Sequence, residues 1–224
     1  MKSEVYNCDC LEYMRSLPDN HFDLCIADPP YGMGNSRCNK SRHSGNGKLA
    51  NRVLNMNADA FEKWDIAPSQ EYFDELFRVS KHQIIWGGNY FNLPPTRGII
   101  CWDKCQPWEN FSQWEMAWTS FDTPANLFRF DNRTGDKIHP TQKPIALYCW
   151  LLDKYAKSDY KIFDPYLGSG SSRIAAYKKG FDFYACELDK DYYEAQEERF
   201  RKECLGEIKL TNGKVAVQQN LFEL

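Results

Sequence analysis

No run of about eighteen consecutive apolar residues occurs anywhere in the sequence, so no segment of it reads as a membrane-spanning helix. The start, MKSEVYNCDCLEYM, lacks a charged segment followed by an apolar one, which predicts a soluble, cytoplasmic protein without a secretory leader. Its nine cysteines include no CxxC pair, the closest spacings being Cys8/Cys10 and Cys101/Cys105. An odd count without a leader predicts reduced thiols used for packing, and neither a disulfide framework nor a metal centre. Acid is missing from one long stretch. Between Gly32 and Ala58 there is no Asp or Glu, while Arg37, Lys40, Arg42, Lys48 and Arg52 all fall inside. That stretch, rich in Ser, Asn and Gly and without apolar periodicity, reads as a long basic loop over residues 32–58. The net charge of −3 argues against a polyanionic partner, but this local run of positive charge argues for one.

The 224 residues suffice for one well-buried domain and are too few for two with a linker. Apolar periodicity predicts a helix in SQEYFDELFRVSK, capped by Ser69 with Tyr72, Phe73, Leu76 and Phe77 on one face. A strand, QIIWGGNYF, ends at Gly87-Gly88; RGIICWDK is a second, and WEMAWTSF reads as its antiparallel neighbour. Beyond Pro144 a helix presents Ile145, Tyr148, Leu151, Leu152 and Tyr155 on one face. KIFDPYLGSGSSRIAAYKKG and FDFYACELDKDYYEAQEERFRK each read as strand, turn and helix, with Asp189 capping the last, and EIKLTNGKVAVQ as a hairpin turning at Asn212-Gly213. Alternating strands and helices of these lengths predict an α/β fold, a parallel sheet covered on both faces.

Two strand-to-loop junctions carry chemistry. In DLCIADPPYGMG, a buried strand is followed by Asp28, two prolines that stiffen the turn, and Tyr31. In FDPYLGSGSS, Gly168 and Gly170 allow close backbone approach to a ligand, and Ser171 opens a helix whose N-terminus favours negative charge. Glu187 stands 23 residues beyond Asp164 at the tip of the next strand, where a carboxylate can take both hydroxyls of a ribose. No GK[ST] follows the glycines, which excludes a P-loop, and Arg173 occupies the third glycine position of a dinucleotide fingerprint. The pattern suits an adenosine-containing cofactor without a pyrophosphate.

DPPYG, HPTQKP, FDPYLGSGSS and FYACELDKDYYEAQEERF, in that order, resemble the beta class of DNA amino-methyltransferases, which move a methyl group from S-adenosylmethionine to an exocyclic amine of a base. The likeness runs from about Asn7 to about Arg201. It implies a Rossmann-like class I methyltransferase sheet, circularly permuted so that the catalytic motif precedes the cofactor motif, with a further cofactor-side strand supplied by residues 4–7. It implies that Phe163, Asp164, Pro165, Gly168 and Gly170 line the cofactor, that Glu187 holds its ribose, that Asp9 approaches its adenine, and that Thr141 and Lys143 face its methionine end. Tyr166 in place of the usual Phe, and Ser171-Ser172 in place of two threonines, are small departures.

The resemblance also assigns catalysis to Asp28, Pro29, Pro30 and Tyr31. The Asp28 carboxylate and the Pro29 carbonyl would each accept one N–H of the amine, whose lone pair is otherwise delocalised into the ring, and Tyr31 would stack on a base flipped out of the duplex. Tyr90 and Phe91 are expected to face the pocket, and His139 to be a hydrogen-bonded loop residue. Double-stranded DNA is the implied partner, with Arg37, Lys40 and Arg42 on its phosphates and a short recognition segment at 121–138. N6 of adenine is the expected target because the Asp form of the motif is more typical of adenine enzymes; N4 of cytosine, or a DNA-binding relative without activity, are the alternatives. A homodimer and a restriction endonuclease partner are admitted by the resemblance and decided by no residue of the sequence.

Overall fold

The computed structural model describes residues 1–32, 65–107, 112–131, 138–139, 141–209 and 215–217. The basic stretch beyond Gly32, with Arg37, Lys40 and Arg42, lies outside them, as do positions 132–137 of the expected recognition segment and the Asn212-Gly213 turn.

The chain runs β1 (Ser3–Tyr6), α1 (Cys10–Arg15), β2 (Phe22–Ala27), α2 (Gln70–Val79), β3 (Ser80–Trp86), β4 (Ile99–Asp103), β5 (Trp114–Thr119) and β6 (Asn126–Arg129). It continues through α3 (Ile145–Tyr155), β7 (Lys161–Asp164), α4 (Ser171–Lys179), β8 (Asp182–Cys186) and α5 (Lys190–Leu205) to the hairpin β9 (Glu207–Lys209) and β10 (Val215–Val217). The first eight strands form one sheet in the order β1-β8-β7-β2-β3-β5-β4-β6.

From β1 to β3 every pairing is parallel, but β5 is antiparallel to both β3 and β4. The parallel sheet therefore carries an antiparallel strand, the pairing of β5 with β4 being the one expected for WEMAWTSF, and the sheet is mixed. Among the described residues no helix separates β4 from β5 to carry a crossover, and the chain doubles back as the WEMAWTSF pattern predicts. Strand β6, inside the expected recognition segment, was not foreseen and closes the edge parallel to β4.

Successive residues of a strand face opposite sides, and here both sides are apolar because helices cover both. Leu24, Ile26, Ile84, Trp86, Ile162, Phe183 and Ala185 pack against α3 and α4. Cys25, Ala27, Ile85, Phe163 and Tyr184 pack against α1 and α2. The buried face of α3 uses Leu147 with Tyr148, Leu151, Leu152 and Tyr155, whereas Ile145, expected on that face, is only partly buried. Phe22 and Phe163 stack with centroids 4.4 Å apart and tie β2 to β7. Each such full burial is worth about 1.5–3 kcal/mol.

The helices start where their caps dictate. Ser69 Oγ accepts the Tyr72 N–H, and Asp189 Oδ1 accepts those of Asp191 and Tyr192. Strand order reverses between β7 and β2: β7 leads outward to β8 and β1, β2 the other way to β3. These two strands pair in parallel, Leu24 with Ile162 and Cys25 with Phe163, so both unusual junctions leave the same end of the sheet side by side. A crevice at such a switch point is where open α/β sheets bind ligands.

Candidate active site

Asp28 follows the last residue of β2, and its carboxylate is held from two directions. The Tyr31 hydroxyl donates to Oδ1 at 3.1 Å, and the Lys143 ammonium, buried just before α3, bonds Oδ2. Burial raises the Asp28 pKa above the ordinary carboxylate value, Lys143 pulls it down, and Glu115 adds to the rise. Pro29 is buried and Pro30 half-buried behind it.

The Tyr31 ring stacks on Tyr90, centroids 4.9 Å apart and planes 23° apart, with Phe91 edge-on at 6.1 Å. Gly87 makes room for it. Its φ is +68°, and a Cβ there would fall 2.3 Å from the Tyr31 ring. Beside this aromatic group lies an open cleft of about 530 Å³ whose lining includes Tyr31, Gly87, Tyr90, Trp114 and Glu115. Of the two aromatics expected at the pocket, Tyr90 lines the cleft, while Phe91 packs into Phe73 and Tyr31.

On the neighbouring strand, Asp164 is almost fully buried and organises the glycine turn. Its Oδ1 accepts the Tyr166 N–H at 3.0 Å and its Oδ2 the Ser172 hydroxyl at 2.5 Å. Burial pushes its carboxyl up to about 7 against those two bonds, and the Asp28 charge adds to the rise. Gly168 and Gly170 have φ of +52° and +74°, a region other residues avoid. The Gly168 N–H donates to Glu187 Oε2 at 2.7 Å and the Asp189 N–H to Oε1 at 2.9 Å, so Glu187 clasps the turn from the tip of β8. Helix α4 begins at Gly170 without a side-chain cap.

Arg199 donates to the Ser169 carbonyl and the Ser171 hydroxyl, bracing the turn from α5. Arg173, at the absent third glycine, is buried with its guanidinium 3.9 Å from the Phe200 ring centroid and bonded to Gln196 and Glu197. It is a packing residue between α4 and α5. Phe163 faces the core against Phe22 and Tyr13, and Pro165 is buried as well. Asp9 caps α1 through Oδ1, which accepts the Leu11 and Glu12 N–H groups at the end of β1.

The HPTQKP loop bridges the two junctions. His139 lies 3.7 Å from where a Gly168 Cβ would stand and 4.3 Å, between centroids, from the Tyr192 ring. Its Nδ1 accepts the Thr141 N–H, and burial, with Lys143 nearby, pushes its pKa down to about 4. It is therefore neutral near pH 7, in keeping with a hydrogen-bonded loop residue. Thr141 is exposed. Lys143, expected at the methionine end of a cofactor, has its ammonium between Asp28 and Glu115, 3.2 Å from Glu115 Oε2, with the Trp86 ring centroid 5.1 Å away.

Glu115 and Lys104 escaped the sequence reading. Burial opposes it, yet Lys143 and Lys104 hold the Glu115 carboxyl down at about 2. The readable signal was a lone acid in the apolar strand WEMAWT, in register with Ala117 and therefore facing the core.

The crevice between the paired strands thus has a buried carboxylate on one side and a glycine turn clasped by an acid on the other, on a sheet of the class I methyltransferase kind. Residues 101–198 match the N6/N4 methyltransferase family model, described as DNA methylase. The type II methyltransferase M2.MboI of Moraxella bovis is 24% identical over 247 aligned positions, covering 88% of this chain and 87% of its own. TTHA0409 of Thermus thermophilus, solved in complex with S-adenosyl-L-methionine, superposes with a TM-score of 0.59 at 17% identity over 91% of this chain and 95% of its own. The PvuII DNA methyltransferase, cytosine-N4-specific, gives 0.61 at 14% identity over 89% and 87%. The chain is thus similar in sequence and in fold to DNA amino-methyltransferases of the N6-adenine and N4-cytosine types.

Proposed function

We propose that the protein transfers a methyl group from S-adenosylmethionine to N6 of adenine in double-stranded DNA. The observation that carries the reading is the adjacency, at one switch point, of the Asp28 carboxylate on β2 and the glycine turn on β7. The donor set fits the cofactor: left-handed glycines open the backbone, the uncapped N-terminus of α4 suits a carboxylate, and Glu187 sits at a strand tip as a ribose partner would. When bound, the cofactor supplies an electrophilic methyl on a sulfonium. Phe163, Asp164, Pro165, Gly168 and Gly170 would hold it, with Asp9 at its adenine and Thr141 at the far end.

Asp28 and the Pro29 carbonyl take the two N–H groups of the amine and localise its lone pair; both acceptors are fixed before the base arrives, so no reorganisation is needed at transfer. Tyr31 and Tyr90 present aromatic faces at a cleft large enough for one base, which must leave the duplex to reach it. No strong base is required, because the ammonium product loses its proton readily. The Asp form of the motif supports adenine; likeness to the cytosine-N4-specific PvuII enzyme keeps N4 of cytosine as the second reading.

Nucleoside mass spectrometry after reaction of duplex DNA with labelled cofactor tests both. N6-methyladenine is expected as the main product, lost in Asp28→Ala while cofactor affinity stays within about threefold. Dominant N4-methylcytosine would overturn the base assignment, and no labelled nucleoside from any DNA would overturn the activity.

A further inference from the structure

Four charged side chains form a line that ends on Asp28. Lys104 bonds Glu115 Oε1, Glu115 Oε2 meets Lys143 Nζ at 3.2 Å, and Lys143 bonds Asp28 Oδ2. Their signs alternate and cancel. The side chain of Lys143 is only 3% exposed, and those of Asp28, Glu115 and Lys104 are 18%, 24% and 21% exposed. Asp28 comes from the loop after β2, Glu115 from β5 and Lys104 from the end of β4, so separate parts of the fold converge on one buried ammonium from the loop before α3.

Such burial is a poor source of stability alone. Desolvating charges costs several kcal/mol per ion, and apolar replacements of buried ion pairs are often neutral or better. What this line does achieve is local. With the Tyr31 hydroxyl on Oδ1 and Lys143 on Oδ2, the carboxylate plane is fixed, and each oxygen keeps lone-pair capacity for an incoming N–H. The titratable groups that act on Asp28 from the elements around it are Lys143, Glu115 and Tyr31, with Asp164 of β7 and Tyr148 of α3 coupled to its charge. Burial and the Glu115 and Asp164 charges favour a protonated Asp28, which would donate where it must accept. Lys143 is the cation set against them.

We propose that Lys143, anchored by Glu115, is a positioning residue for the methyl-acceptor site: it holds Asp28 charged and oriented toward the amine, and Glu115 tunes that hold by sharing the same ammonium. This rests on Asp28 being the amine acceptor, and it takes Lys143 away from the cofactor end to which the sequence motif points.

The two partners pull Asp28 in opposite directions, which gives the test its discrimination. In protein carrying 13C-labelled aspartate carboxyls, the Asp28 signal is identified by its loss in Asp28→Asn and titrated in wild type, Lys143→Met and Glu115→Gln. Lys143→Met is expected to raise the titration midpoint by at least about one pH unit, a tenfold change in proton affinity, and to move the acid limb of kcat upward with cofactor affinity held within about threefold. Glu115→Gln is expected to lower the midpoint, because Lys143 then serves Asp28 alone.

Midpoints unchanged in both variants, or moving in the same direction, would overturn the proposal. So would a tenfold loss of cofactor affinity in Lys143→Met with Asp28 titrating as in wild type. Should Lys143→Met fail to fold, a Glu115→Gln midpoint that does not fall overturns it unaided. The titration needs no turnover, so a protein that methylates no DNA would defeat the functional reading and leave this one decided separately.

Discussion

A Cβ at position 87 would stand 2.3 Å from the Tyr31 ring, on a residue whose φ is already +68°. The left-handed conformation alone costs a non-glycine residue about 1–2 kcal/mol, and the clash is with a ring that cannot retreat, since Tyr90 covers one side of it. Gly87→Ala is therefore expected to push Tyr31 off both Tyr90 and Asp28. The measurable result is a fall of tenfold or more in kcat/KM for DNA, with the cofactor dissociation constant changed by less than about threefold. Equal losses at both substrates would mean that Gly87 serves the fold at large and not the acceptor side. At this scale the sequence was informative wherever chemistry demands an unusual residue: Asp28 between a strand and two prolines, the glycines at 168 and 170, Glu187 at a strand tip. Of Glu115 it showed only a lone acid on the core face of an apolar strand, because a partner 28 residues away along the chain leaves no local mark that names it.

Among the elements, the HPTQKP loop couples pH to stability through His139. His139 in the folded protein has its pKa pushed down to about 4, from an ordinary value near 6.5, by burial and by Lys143. Its folded pKa is depressed, so between about 6.5 and 4 the unfolded chain binds a proton that the native loop refuses, and stability falls as pH falls through that window. Asp164 works in the other sense: its carboxyl, raised to about 7, binds a proton in the native state first, so its contribution grows as pH drops from about 7 toward 4. His139→Gln keeps a hydrogen-bonding side chain and removes one of the two opposed trends. Chemical denaturation of wild type and variant at pH 7 and pH 5 is expected to show the variant gaining on wild type at the lower pH. Parallel curves would place the imidazole in solvent. Strand and helix identities were legible here because their periods and caps are local, Ser69 and Asp189 among them. The antiparallel pairing of β5 with β4 was legible too, but the pairing of β5 with β3 and the edge strand β6 were not, since pairing direction depends on which distant strand arrives alongside.

At the scale of the whole molecule, the charge distribution must reconcile a net charge of −3 with a polyanionic substrate. The acids of the crevice are committed: Asp28 and Glu115 to the buried Lys143, Asp164 and Glu187 to the glycine turn, Asp9 and Asp189 to helix starts. The largest stretch of uncompensated positive charge in the sequence lies between Gly32 and Ala58; of the described residues that flank it, Gly32, four positions beyond Asp28, donates its N–H to Asp65 Oδ1 at 3.0 Å. A DNA-phosphate role for Arg37, Lys40 and Arg42 makes a quantitative demand. Each phosphate neutralised releases condensed counterions, so log K against log salt steepens by about 0.9 per contact. Replacing the three with Ala is expected to weaken binding to all duplexes alike and to flatten that slope by about three units, with discrimination between target and non-target sequence preserved. Binding titrations from low to moderate salt read the slope directly. A slope unchanged in the triple variant would assign the phosphates to other cations and leave this segment without a part in DNA affinity.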